Sequence, residues 1–310
     1  MIKVSHPNNC LKNMNYILKF KRIFIQLLHK THRVFKNENY FKSLFLEKTN
    51  KLNIDAIDFS SGLTIGNYQN INYIINFRPG DFLESTVYSE GCWEKNTIQL
   101  ISQFLENSSG IMLDIGANIG LISIPLAIKH SSIQFHCFEA HPEIYARLNN
   151  NINLNKISNI DTANCAISNS NEKKLAFYAQ KKSSNMGLSS LNLNLDIDDY
   201  EKIIVETKNI DRLFIGSSKK IVLIKIDTQG SELDVIKSSF QIIKRDRPII
   251  IFELEDDYYT KQNRAESKRN LENLFLKLNY SLYNVSKGIN YYPKVDIKKK
   301  YNGDVLCIPN

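Results

Sequence analysis

The sequence predicts an α/β protein: a doubly wound, mostly parallel sheet with an antiparallel strand at its C-terminal end. Three observations predict it. Short apolar runs at 111–115, 133–138, 160–167, 221–227 and 248–254 alternate with stretches of helical composition, the pattern of consecutive βαβ units. The run at 221–227 is strongly apolar, as a strand covered on both faces would be, and carries Lys225 near its end. Two last strand-like segments, Ser281–Val285 and Asp304–Ile308, follow the long amphipathic stretch Arg264–Leu278 and are expected to close a seven-stranded sheet as an antiparallel pair.

A chain of 310 residues holds one large domain and an extension. We place an accessory segment over 1–80 and the main domain over 81–310. The first fifty residues carry ten Lys or Arg against two Asp or Glu, the whole of the net charge of +8. Within them Ile17, Leu18, Phe20, Ile23, Phe24, Leu27 and Leu28 recur at helical spacing between Lys19, Arg22 and Lys30. This basic amphipathic helix either docks on an anionic membrane surface or acidic partner, or packs on the main domain with its charged face in water. The rest of the chain is charge-balanced and has no basic stripe for nucleic acid. Lys19, Lys21 and Arg22 interrupt the early apolar stretch, so neither a cleavable leader nor a membrane span is expected. The five cysteines are scattered without a Cys-x-x-Cys, which suits reduced thiols in the cytoplasm and no metal site.

In chain order, Tyr73–Phe77 reads as a strand, Arg78-Pro79-Gly80-Asp81 as a turn, Phe82–Tyr88 as a short strand or helix, and Glu94–Glu106 as a helix. Ile111–Ile115 is the first core strand. Gly116-Ala117-Asn118-Ile119-Gly120 is a tight turn, Leu121–Lys129 a helix, and Ile133–Phe138 a strand ending on Glu139. His141-Pro142-Glu143 opens a helix with Pro at its first position. His141 reads as its cap and His136 as a packed core histidine. Ile160–Ile167 is the third strand, Lys173–Ala179 and Lys202–Lys208 are extra strands, and residues 187–191 form a small-residue loop. Ile221–Asp227 is the fourth core strand, Ser231–Ile243 a helix, and Pro248–Leu254 the fifth strand.

The turn at 116–120 sits where open α/β sheets bind ligands, at the carboxyl end of a parallel strand. A dinucleotide fingerprint needs glycine where this chain has Asn118 and Leu121, and no phosphate loop is present. What remains is D-x-G-x-N-x-G with an acid about twenty residues on. Glu139 there can accept from both hydroxyls of a ribose, and Asp114 can take a cationic or N–H-bearing group. A ribose and an amino-acid-like moiety without phosphate describe S-adenosylmethionine (SAM). The bland alternative is an ordinary turn with a capping Asn and a surface Glu.

Lys225-Ile226-Asp227-Thr228-Gln229-Gly230-Ser231-Glu232 is the second informative stretch. Charges in a buried strand are costly unless paired or used. The strand period puts Lys225 and Asp227 on one side, and Glu253 ends the next core strand. Methyl transfer to a hydroxyl needs alignment and removal of one proton. Asp227 is the first choice for the base and Glu253 the second, with Lys225 fixing the carboxylate and Glu232 nearby; equally, the group is a brace at the strand ends.

These pieces resemble the FkbM-type SAM-dependent methyltransferases. The resemblance runs over roughly 81–310 through Gly91-Cys92-Trp93-Glu94, the 114–120 turn, Phe138–Pro142, Asn164–Ser168, Gly187–Leu191, Lys225–Glu232 and Pro248–Glu253. It implies a class I Rossmann-like methyltransferase fold, SAM as cofactor, and a hydroxyl acceptor, often on a sugar or polyketide-like product. By position it implies Asp114, Gly116, Asn118 and Gly120 at the methionine end, Glu139 and Ala140 at the ribose, and Cys165 and Ala166 near the adenine. One departure stands out: the family usually has an acid where this chain has Gln229. The expectation is a cytoplasmic O-methyltransferase acting on a glycan or glycolipid precursor, with the basic helix at the inner membrane surface. Its rivals are a nicotinamide-dependent sugar oxidoreductase or epimerase, and a SAM-fold binding module without catalysis.

Overall fold

The computed structural model describes residues 57–58, 63–76, 82–180, 200–255, 264–285, 293–297, 299 and 301–310. The basic helix at 15–35, the 78–81 turn and the 187–191 loop lie outside the described residues.

The main sheet has seven strands. In chain order they are β4 (Gly110–Ile115), β5 (Ile133–Glu139), β6 (Ile160–Asn164), β10 (Ile221–Ile226), β11 (Ile249–Glu255), β12 (Tyr280–Asn284) and β13 (Asn302–Pro309). Their spatial order is β12-β13-β11-β10-β4-β5-β6. β4, β5, β6, β10 and β11 run parallel, and β13 runs antiparallel between β11 and β12. This is the expected doubly wound arrangement with an antiparallel strand inserted near one edge. The chain leaves β4 towards β6 and returns at β10 to build the other half. The carboxyl ends of β4 and β10 therefore flank the switch point where such sheets open a crevice.

Helices cover both faces. On one side lie α1 (Phe82–Glu90), α2 (Lys95–Leu105), α3 (Ser123–Lys129) and α4 (Pro142–Leu154); on the other, α5 (Ile210–Phe214), α6 (Glu232–Ser238), α7 (Phe240–Asp246) and α8 (Arg264–Lys277). α4 starts where the sequence says: Pro142 occupies its first turn, and His141 Nδ1 accepts the Glu143 N–H at 3.2 Å. The expected single helix at 231–243 is two. Ser238 and Ser239 turn their hydroxyls onto the Val235 carbonyl at 2.8 and 2.9 Å, and this competition with the backbone ladder ends α6 and starts α7. The expected strand at 160–167 is also two. Asn164 Nδ2 donates to the carbonyls of Glu139 and Ala140 at 2.8 and 3.0 Å. The chain then leaves the main sheet, and β7 (Ala166–Ile167) joins β8 (Lys174–Gln180) and β9 (Tyr200–Lys208) in a sheet ordered β7-β9-β8.

The hairpin β2 (Leu63–Tyr68) and β3 (Ile71–Asn76) falls on the accessory side of the expected boundary at residue 80. It nevertheless buries Tyr68, Tyr73 and Ile75 in the same core as Ile98, Ile124 and Leu148. β1 (Ile57–Asp58) extends it antiparallel. The free edge of β3 is covered by α4. Asn151 Oδ1 accepts the Asn76 N–H and Asn155 Oδ1 the Ile74 N–H, both at 2.8 Å, so two asparagine side chains take the place of a neighbouring strand. Beside them the Arg147 guanidinium pairs with Glu84, which is 0% exposed. Among the described residues no helix is long and apolar enough to cross a membrane.

Candidate active site

The cleft is built on the turn after β4. Gly116 adopts φ +81°, and a Cβ there would stand 1.9 Å from the Asp227 carbonyl oxygen. The glycine thus lets the ends of β4 and β10 touch, and Asp227 N–H donates to the Ile115 carbonyl at 2.9 Å. Asn118 takes the left-handed region at φ 51°, which its short side chain tolerates. Gly120 serves packing instead: a Cβ there would meet Leu148 and Ile124 at 2.8 and 2.9 Å.

Every N–H in the turn is already used. Gly116 and Ala117 donate to the Phe138 carbonyl, Asn118 to Glu139 Oε2, Ile119 to the Asn118 side-chain oxygen, and Gly120 to the Ala117 carbonyl. A diphosphate would need such groups to be free. Glu139 is held from both sides, with Oε2 on Asn118 N–H at 2.9 Å and Oε1 on His141 N–H at 2.8 Å. Burial pushes its carboxyl up to about 7, against the opposing pull of those two N–H groups.

The cleft has a volume of about 280 Å³ and is lined by residues from both halves of the sheet. One end is apolar: Phe138, Ala140, Ile144, Cys165, Ala166 and Ile167, closed by Phe177 from β8. Burial pushes the Cys165 thiol up to about 11, so it packs as a small apolar group. Gly116, Ala117 and Asn118 line the cleft with Glu139, and Trp93 and Leu83 contribute to the wall. The other end is polar and carries Lys225, Asp227, Gln229, Glu253, Glu255 and Glu94.

Lys225 organises that polar end. Its ammonium lies 3.5 Å from both Asp114 Oδ1 and Asp227 Oδ2. Burial opposes the charge, but Asp114, Asp227, Glu94 and Asp304 outweigh it and hold Lys225 above the ordinary lysine range. Gln229, in the left-handed region at φ 52°, donates from Nε2 to Asp227 Oδ1 at 3.1 Å and to Glu253 Oε2 at 2.9 Å. Burial, reinforced by Asp227, raises the Glu253 carboxyl well above the carboxylate range. Burial and the surrounding acids push Glu94 up to about 7. Asp304, opposite Glu253 in the β11–β13 register and hydrogen-bonded by Thr97 Oγ1 at 3.0 Å, is raised as well, by burial first.

Gly116, Asn118, Glu139, Ala140, Cys165, Ala166, Lys225, Asp227 and Glu253 therefore line one cleft. Three residues stand behind its wall. Asp114 is fully buried against Lys225 and Ser123 Oγ, which donates to it at 2.5 Å. Gly120 packs under α4. Glu232 braces the loop, accepting the Gly230 N–H at 2.8 Å. Glu253, the second choice for a base, is held above the carboxylate range by burial and by Asp227 beside it. Asp304, Glu255 and Phe177 were not singled out from sequence. Asp304 had one signal: an acid at the head of an otherwise apolar strand, Val305–Ile308, whose antiparallel register sets it against Glu253. His136 is packed in β5, its ring edge-on to Phe214 at 5.0 Å. Among the described residues no group of His, Cys, Asp and Glu could hold a metal ion.

Residues 114–282 match the methyltransferase FkbM domain model. "Methyltransferase 1" of Beauveria bassiana is 21% identical over 173 residues, 51% of this chain and 66% of that protein. A methyltransferase FkbM structure from Methylobacillus flagellatus is 16% identical with a TM-score of 0.40, covering 64% of this chain and 43% of that one. M. jannaschii TYW2, solved in complex with AdoMet, is 16% identical with a TM-score of 0.36, covering 81% of this chain and 86% of that one. The chain thus spans less than two thirds of the length of the first two. The matched segment starts on Asp114, carries the turn, Glu139 and the Lys225–Glu232 loop, and ends in β12; the chain belongs to the FkbM-domain methyltransferase family.

Proposed function

We propose that the chain is a SAM-dependent O-methyltransferase whose acceptor is a sugar hydroxyl in a glycan or glycolipid precursor. The observation that carries the cofactor reading is the 116–120 turn. Its N–H groups are all engaged within the protein, one of them by Glu139, so the cleft offers a ribose acceptor and no cradle for a diphosphate. That disfavours a nicotinamide dinucleotide. The residues fit an adenosyl group: an apolar slot at Cys165–Ile167 and Phe177 for the base, Glu139 for ribose hydroxyls, and carboxylates near the positive sulfur.

When bound, SAM supplies a methyl group whose carbon–sulfur bond breaks, the electron pair going to sulfur, as an acceptor oxygen takes the carbon. The protein aligns that oxygen and removes its proton. Asp227 is the base. It lies at the crevice end of β10 with its side chain 31% exposed, so acceptor can reach it. Lys225 holds its other face and offsets the negative charge of the acids around it. The neighbouring Glu253, Glu255 and Glu94 suit an acceptor rich in hydroxyl donors and lacking anionic groups. The basic segment near the N-terminus suits an acceptor presented at an anionic lipid surface.

Titration calorimetry of the purified protein with SAM tests the core of this reading; no heat of binding sinks it. Mass spectrometry of cell-envelope glycans from cells with and without the gene tests the acceptor. A missing methylene mass on a glycan supports it, and identical spectra overturn the glycan assignment.

A further inference from the structure

The amide of Gln229 is shared between two carboxylates, and the methyl-transfer reading gives those carboxylates different work. Nε2 reaches Asp227 Oδ1 at 3.1 Å and Glu253 Oε2 at 2.9 Å. The amide faces both with its hydrogens, since its oxygen there would oppose their lone pairs. The two acids are not equivalent. Asp227 also has the Lys225 ammonium at 3.5 Å and an open side towards the cleft. Glu253 faces Asp227, with Glu255 on its own strand and Asp304 across the register on β13. Glu94 ahead of α2 and Glu139 on β5 add further negative charge towards Asp227. Two carboxylates joined through one neutral donor and surrounded by acids hold one proton between them more readily than none.

We propose that Gln229 is a positioning residue: its amide orients one oxygen of each acid, and because the Lys225 ammonium sits on Asp227 alone the shared proton rests on Glu253 and leaves Asp227 free to accept the acceptor's proton. The inference rests on the methyltransferase reading for its purpose and on the Gln229 geometry for its existence. Each Nε2 hydrogen occupies one oxygen of one acid. Glu253 then carries its proton on Oε1 and presents a hydrogen-bond donor to the acceptor. Asp227 keeps Oδ2 towards Lys225 and the crevice, as a proton acceptor. Donor and acceptor so paired fix one hydroxyl in one orientation. An acid at position 229 would bring a third carboxyl and a second proton into the same space, and the division of roles would be lost.

Infrared difference spectroscopy of the full chain tests this without any methyl acceptor. The wild type should show a carboxylic-acid C=O band at pH 7 that disappears in Glu253→Gln. In Gln229→Met, which keeps length and removes both donors, that band should move to higher wavenumber as its hydrogen bond is lost. In Gln229→Glu a second carboxylic-acid band should appear at the same pH. Circular dichroism confirms that each variant is folded, and the isosteric Gln229→Glu decides if Gln229→Met is not. Absence of a Glu253-dependent band in the wild type overturns the inference. So does a band unmoved in Gln229→Met and unaccompanied in Gln229→Glu. Calorimetry with S-adenosylhomocysteine on the same wild-type preparation is read separately: no binding there sinks the methyltransferase reading and leaves the infrared result standing.

Discussion

The backbone N–H of Asn118 donates to Glu139 Oε2 at 2.9 Å, so the glycine turn after β4 and the acid ending β5 form one hydrogen-bonded unit. A ribose that reaches Glu139 meets a carboxyl already oriented by the protein.

That carboxyl sits at about 7 in the free protein, through burial. Ribose hydroxyls donate to its ionised form and so lower it in the complex. Binding of S-adenosylhomocysteine should therefore release a proton near pH 7 and tighten as pH rises from 6 to 8. Calorimetry in two buffers of different ionisation enthalpy measures both. Glu139→Gln should bind about 10- to 100-fold more weakly, the worth of a charge-assisted hydrogen bond, and with no pH slope.

The same group makes the unliganded protein pH-sensitive. Its folded value of about 7 lies above the 4.5 of an ordinary glutamate, so the native state holds the proton more tightly than the unfolded chain. Stability should fall as pH rises from about 4.5 to about 7, with a contribution from Glu139 of about 3 kcal/mol. Urea unfolding of wild type against Glu139→Gln across that range should show the difference between them shrinking or reversing by that amount.

Asp227→Asn should lower methyl transfer by about 10²- to 10⁴-fold, the usual worth of a general base, while S-adenosylhomocysteine affinity changes by less than about threefold. The measurement is release of S-adenosylhomocysteine with a neutral glycan pool as acceptor. Unchanged turnover in this variant removes Asp227 from the role.

Gly116→Ala should cost about 3 kcal/mol or more, from left-handed backbone and overlap together. Its Cβ would fall 1.9 Å from the Asp227 carbonyl, whereas a Cβ at Gly216 meets nothing within 4 Å. Gly216→Ala is the control and should stay within about 0.5 kcal/mol of wild type in urea unfolding.

Glu84→Gln or Arg147→Met should each cost about 3 to 5 kcal/mol, since either breaks a buried ion pair by removing one charge. The double variant should cost less than the sum, as read from a double-mutant cycle.

The sheet was legible because strands covered on both faces are written as unbroken apolar runs; β4, β10 and β11 show it directly. The turn was legible because its geometry demands particular residues at Gly116 and Asn118. Other features depended on side-chain hydrogen bonds that periodicity does not encode. The break at Ser239 comes from hydroxyls taking the Val235 carbonyl, and the break at Cys165 from Asn164 reaching back to β5. The positions of the Asp114 and Glu232 side chains were hidden by the same limit. An acid near a strand end, or in the first turn of the helix that follows, can point into a cleft or behind it, and only the partners decide: Lys225 and Ser123 for Asp114, Gly230 for Glu232. Asp304 was hidden because its meaning lies in a register with a strand about fifty residues away in sequence.

The interposition of β13 between β11 and β12 sets a lower limit on what can be excised from this chain. Among the described residues β12 joins the sheet through β13 alone, and the matched family segment stops at residue 282, before β13 begins. A recombinant fragment cut to that segment would leave β11 with an unsatisfied edge and β12 with nothing to pair against, an invitation to intermolecular strand addition. Expression boundaries that keep residue 309 are the ones compatible with a folded product.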